Sequence, residues 1–233
     1  MNNMKQFKIF LIVILAVFFL GFAIDKIALA KTDEDKVAKE ELKQLIRLQK
    51  ELNKVVDIVN ILAERYKANK EFESKIITKL VPFGHDKVID KRNIDTVVVH
   101  SSYDALGMNP YDVDGIMYEY LLYDVGPHYL IFSAGEVYRM INDNDLAWHA
   151  GVSQMPDGRR SVNKFSIGVE LVQTDKEEAN YLEYKALVDL IHYLESKYAI
   201  KYIIGHQNIA PAGKKTDPWN FNWHKFDNLY FKK

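Results

Sequence analysis

The chain has 233 residues, enough for one sizeable core, and its 48% apolar fraction with 12% aromatic residues excludes a wholly disordered polypeptide. Its 31 Lys and Arg balance 32 Asp and Glu, so no global positive field gathers phosphates and no nucleic-acid partner is expected. Cysteine is absent, which removes disulfides, thiolate ligands and Cys nucleophiles; any metal must be held by His, Asp or Glu.

Lys5 and Lys8 precede an uninterrupted apolar run over residues 9–24, closed by Asp25 and Lys26. Extended by Phe7 and residues 27–30, this run predicts a single-pass transmembrane helix. The small-x-small sequence Ala28, Leu29, Ala30 leaves a cleaved signal peptide as the alternative. Residues 1–30 are therefore read as a membrane anchor. The positive-inside rule then places the rest of the chain outside the cytoplasm, in the cell envelope.

From Thr32 to Leu80 there is neither Pro nor Gly. Ala38, Leu42, Leu45, Leu52, Val56, Val59, Ala63 and Tyr66 recur at spacings of three and four, with Gln49 filling the gap, which makes a coiled-coil-like heptad seam. Leu48, Val55 and Leu62 widen the stripe. Residues 31–84 are expected to form a helical stalk ended by Pro82, Phe83 and Gly84. Its apolar face calls for a partner, whether a second copy, another protein or the domain that follows.

Residues 85–233 have the size of one domain. The β-branched run 96–99 ends in His100, residues 128–132 and 137–141 flank Gly135 as a hairpin, and 165–172 and 202–204 are further apolar strands. Thr174 and Glu177 are read as a capping box opening a helix whose apolar face is Leu182, Leu187, Leu190, Ile191, Leu194 and Tyr198. This order predicts an α/β domain with a central mixed sheet flanked by helices.

His100 and His206 both stand at the carboxyl ends of apolar strands, where a side chain is rigidly held yet faces a cleft. Eleven residues beyond His206 comes Asp217, in a loop stiffened by Pro211 and Pro218. Two imidazoles and one carboxylate make a catalytic zinc site with a fourth position for water, although seven histidines allow other triads. Glu170 interrupts an otherwise apolar strand; a carboxylate there is costly to bury unless a partner or a metal-bound water offsets it, as would hold for a general base beside a zinc. Alternation alone also permits Ser166, Gly168 and Glu170 to share a solvent-facing side. Lys215, two residues before Asp217, would bring an ammonium near the metal to meet a developing oxyanion, or is half of a solvated basic pair with Lys214.

Five blocks carry a resemblance: Val99, His100, Ser101; His128 to Ile131 in one hairpin strand with Gly135 beyond it; Ala147, Trp148, His149, Ala150, Gly151; Asn163 with Ser166, Ile167, Gly168, Val169, Glu170; and Gly205, His206, Ile209, Ala210, Pro211 with Lys215, Thr216, Asp217, Pro218. In this order and spacing, across residues 85–226, the chain closely resembles the type 2 N-acetylmuramoyl-L-alanine amidases. That family includes AmpD-type amidases, phage amidase lysozymes and peptidoglycan recognition proteins. The resemblance implies zinc held by His100, His206 and Asp217, Glu170 as acid/base and Lys215 as transition-state stabiliser. It also implies that the enzyme cuts the bond between muramic acid and L-alanine in peptidoglycan or muropeptides. It places His149 and Asn163 along the substrate groove, with a structural role pinning a turn open for His149. Asp217 looks like the AmpD branch, and Pro127, where phage enzymes carry a catalytic Tyr, departs from theirs. One residue is added between His206 and Lys215. The alternative is a module on the same fold that binds peptidoglycan without cutting it, or an envelope tether working through its stalk.

Overall fold

The computed structural model describes residues 35–232, and the apolar run 9–24 read as an anchor lies outside them. Among the described residues no helix is long and apolar enough to cross a membrane. The first element is helix α1 (Asp35–Lys75), and the chain divides into two compact units at Ala68/Asn69, within it. Exposed pairs with Glu on the N-terminal side, Glu40–Lys43, Glu51–Lys54 and Glu71–Lys75, lace its surface at 3.1, 2.8 and 2.7 Å. Each contributes only ~0.2–0.5 kcal/mol, so the unbroken run of helix formers matters as much. Of the expected seam, Leu42, Leu45, Gln49, Leu52, Val56 and Val59 are partly shielded, whereas Ala63 and Tyr66, like Leu48, Val55 and Leu62, are exposed.

The helix stops at Lys75, short of the expected Pro82. Ile77–Thr78 instead form strand β1, parallel to β5 (Val137–Arg139). Beyond it, Lys79 N donates to Arg139 O at 2.9 Å and Val81 N to Met140 O at 3.0 Å. These pairings satisfy amides that helix would otherwise have used, and they bury Ile76 and Val81.

The central sheet has six strands in the order β1-β5-β4-β7-β3-β8. Here β3 is Thr96–Ser102, β4 Tyr129–Ile131, β7 Ser166–Val172 and β8 Tyr202–Gly205. β4, β7, β3 and β8 run parallel to one another, while β4 and β5 form the antiparallel hairpin read around Gly135. The sheet is therefore mixed, as expected. A separate two-stranded piece pairs β2 (His85–Asp86) with β6 (Leu146–Ala147).

Both sheet faces are covered, which explains why the strands read as nearly continuous apolar runs. Val97, Val99, Tyr129, Ile131, Ile167, Val169 and Leu171 meet Leu187, Leu190, Ile191 and Leu194 of helix α3 (Tyr181–Glu195) and Phe226 of helix α4 (Trp223–Tyr230). On the opposite face Leu130 packs with Ile116 and Tyr120 of helix α2 (Val113–Tyr123), and Val98 with Ala150, Met155 and Val162. Full burial of each such aliphatic side chain contributes ~1.5–3 kcal/mol.

Helix α3 begins later than Thr174 predicts. Thr174 N and Oγ1 do donate to Glu177 Oε2, at 2.9 Å each, but they close a turn. The cap is Asn180: its Oδ1 accepts from Leu182 N and Glu183 N at 2.7 and 3.2 Å, and Glu183 Oε2 accepts from Asn180 N at 2.7 Å. That reciprocal box stands directly before the apolar face, so it sets the boundary.

Candidate active site

Parallel pairing brings the chemistry-bearing residues to one edge. His100 on β3 stands in register with Glu170 on β7, so the two side chains share a face of the sheet. On the other side Val99 pairs with Gly205, which places His206 just past the end of β8. The carboxyl ends of adjacent parallel strands are where α/β sheets open a crevice. Asp217 arrives from the loop after His206, fastened by Gln207 N donating to Asp217 O at 2.8 Å. Gly205 makes that return possible, because a Cβ there would lie 2.8 Å from Pro218 Cδ.

His100, His206 and Asp217 are buried, and their ligating atoms form a small triangle. His100 Nδ1 lies 3.0 Å from His206 Nδ1 and 3.1 Å from Asp217 Oδ2; His206 Nδ1 lies 3.1 Å from the same oxygen. Burial drives the His100 imidazole down to about 4, against the opposing pull of Asp217, so it is neutral near pH 7. Burial alone would push the Asp217 carboxyl up, but the adjoining His100 and His206 rings outweigh it and hold it well below the usual carboxylate range. Two imidazoles and a carboxylate converging on one point form a group able to hold a metal ion.

Glu170 is half-buried on a face covered by protein, not the solvent side that alternation also allowed. Burial raises its carboxyl to about 7, with the Asp217 charge adding to the rise and a hydrogen bond from Tyr120 opposing it. The Tyr120 hydroxyl donates to Glu170 Oε2 and lies 2.9 Å from Ser102 Oγ. Tyr120 is absent from the sequence reading, as is helix α2 itself. Its signal is the pair Ile116 and Tyr120, one turn apart on a helix capped by Asp112; a buried tyrosine hydroxyl requires a partner. Lys215 is exposed, two residues before Asp217, and its charge contributes to lowering the His100 imidazole.

His149 and Asn163 lie behind the triangle. His149 Nδ1 is 3.0 Å from His100 Nε2 and its Nε2 is 3.1 Å from Ser166 Oγ. Asn163 Oδ1 accepts from Ala150 N at 2.8 Å, and its carbonyl accepts from Arg92 Nη2 at 2.9 Å. Arg92, buried and unread in the sequence, also donates through Nη2 to Ser166 O at 2.6 Å and through Nη1 to Asp143 O at 3.3 Å, and so ties its own segment to residues 163–166 and to the loop at 143.

Comparison with known proteins adds an independent line. A family model described as N-acetylmuramoyl-L-alanine amidase matches residues 90–220. The chain is similar to 1,6-anhydro-N-acetylmuramyl-L-alanine amidase AmpD of Haemophilus influenzae, 36% identical over 106 residues, covering 44% of this chain and 56% of that protein. The Escherichia coli K12 protein of the same name is 40% identical over 111 residues, covering 46% and 60% respectively. The chain thus spans little more than half the length of these curated relatives. Among solved structures, a selenomethionine derivative of AmpD superposes with a TM-score of 0.57 at 31% identity, covering 67% of this chain and 94% of that one.

Proposed function

The chain belongs to the N-acetylmuramoyl-L-alanine amidase family, and from that premise we propose that it hydrolyses the amide between the muramic acid lactyl group and L-alanine, with zinc as its metal. The observation that carries the reading is the convergence of His100, His206 and Asp217 beside a carboxyl group held near neutrality on the neighbouring strand. Three donors 3.0–3.1 Å apart are close enough together to share one ion at the ~2.0–2.1 Å bond lengths that zinc makes to N and O. The donor set fits.

When bound, such an ion supplies Lewis acidity, polarising a carbonyl and acidifying water. Glu170 takes the proton of the attacking water and returns it to the departing alanine nitrogen. A group near pH 7 suits both transfers, because it gives up and accepts protons at similar cost. Tyr120 holds Glu170 Oε2, leaving the other carboxyl oxygen for the water. Lys215 lends its ammonium to the developing oxyanion. The names of the curated relatives favour muropeptides carrying a 1,6-anhydro sugar as substrate. The run 9–24 supports a domain anchored at the cell membrane and facing out of the cytoplasm.

Incubation with purified sacculi and with an anhydro-muropeptide, followed by mass spectrometry, tests the reaction. Addition of one water should give a lactyl carboxylate and a stem peptide with a free alanine amine, and no such product with His100→Ala. Binding without this product would favour the recognition module instead.

A further inference from the structure

We infer that His149 is a positioning residue that sets the tautomer of His100 for metal binding. The inference rests on the metal reading above and comes from a one-way chain of hydrogen bonds. Ser166 Oγ lies 2.7 Å from Val162 O, a carbonyl that can only accept, so the single hydroxyl proton is committed there. At the 3.1 Å contact Ser166 Oγ must therefore accept, and His149 Nε2 carries the proton. His149 Nδ1 is then bare, and at 3.0 Å it can only accept from His100 Nε2–H. That leaves His100 Nδ1 with its lone pair turned to His206 and Asp217.

The competing arrangement is plain. Asp217 Oδ2, 3.1 Å from His100 Nδ1, would otherwise draw the imidazole proton onto the ligating nitrogen. His149 withdraws it to the far side of the ring.

The strand beneath is shaped for this imidazole. A Cβ on Gly168 would lie 2.4 Å from His149 Cγ and 2.7 Å from Cδ2 and Nδ1, so β7 carries glycine where the ring rests. The loop holding His149 is pinned at the next residue by Asn163 through Ala150 N. Ser166, Gly168 and Glu170 thus occupy one face of β7 with three tasks: anchoring the His149 ring, making room for it, and facing the metal site. Both ring nitrogens of His149 are engaged within the protein, which favours this role over direct contact with substrate.

The test uses the full chain, with zinc affinity measured by chelator competition and the His100 tautomer read from nitrogen-15 shifts in the metal-free protein. His149→Leu should weaken zinc binding about 10–100-fold and move the His100 proton toward Nδ1. His149→Asn, whose amide oxygen replaces the Nδ1 acceptor, should recover most of the affinity and the Nε2–H form. Ser166→Ala, a milder change, should weaken affinity in the same direction without replacing either imidazole. Unchanged zinc affinity in His149→Leu, or equal losses in the Leu and Asn variants with an unmoved His100 tautomer, would overturn the inference. Failure of the unaltered chain to bind zinc would instead overturn the metal reading on which it rests.

Discussion

Replacing Glu170 with Gln separates catalysis from stability. In the metal-free protein the carboxyl is raised from 4.5 to about 7 by burial, so the folded state holds a proton that the unfolded chain has released. The sign is opposite to that of a salt-bridged carboxylate: the contribution of Glu170 to folding is most favourable below pH 4.5 and is lost as pH rises through about 7. At about 1.4 kcal/mol per pH unit, ionising it inside the fold costs about 3 kcal/mol at pH 8 and under about 1 kcal/mol at pH 5. Gln keeps the shape and can still accept from Tyr120 but never ionises. Urea unfolding of chelator-treated protein should therefore show Glu170→Gln more stable than the parent by up to about 3 kcal/mol at pH 8, with the gap nearly closed at pH 5. The same variant should lose about 10²- to 10⁴-fold in kcat while retaining zinc, because the proton carrier is gone. A variant less stable at pH 8, or one with near-normal turnover, would refute the assignment of this group as a buried, strained base.

Tyr120→Phe removes the hydrogen bond that opposes the rise of Glu170, so the acidic limb of the kcat/KM profile should move to higher pH; an unmoved limb would contradict the contact's importance. Lys215→Met should lower kcat about 10²- to 10³-fold with little change in KM or zinc content, and a change confined to KM would reassign it to ground-state binding. Leu187→Ala, fully buried between α3 and the sheet, should cost about 2–5 kcal/mol in urea unfolding without altering zinc stoichiometry.

Much of the domain was legible because its local and tertiary signals agree. The run 96–99 is β-branched and buried on both faces, and the segments around Gly135 pair as the antiparallel hairpin read from them. His100 and His206 could be read as neighbours because each follows an apolar β run, and parallel strands that lie side by side bring their carboxyl ends together, although β3 continues past His100 to Ser102. Elsewhere long-range contacts decided the structure. The helical run continues in composition to Leu80, yet pairing with Arg139 and Met140, some sixty residues away, claims residues 77–81 for the sheet. Thr174 and Asn180 both present a capping pattern, and only the packing of the apolar face on the sheet selects the second. Tyr120 meets Glu170 across fifty residues of sequence, and the glycine that accommodates His149 looks in sequence like a weak point in a strand.

The central claim is that His100, His206 and Asp217 hold one zinc ion that hydrolysis requires. Zinc titrated into the chelator-stripped full chain, with stem-peptide release from a muropeptide followed at each addition, tests it most directly. Activity should rise from background to a plateau at one zinc per chain, and Asp217→Ala should neither bind zinc with comparable affinity nor recover turnover. Full turnover in the stripped protein, or a plateau reached by Asp217→Ala at the same stoichiometry, would contradict the account.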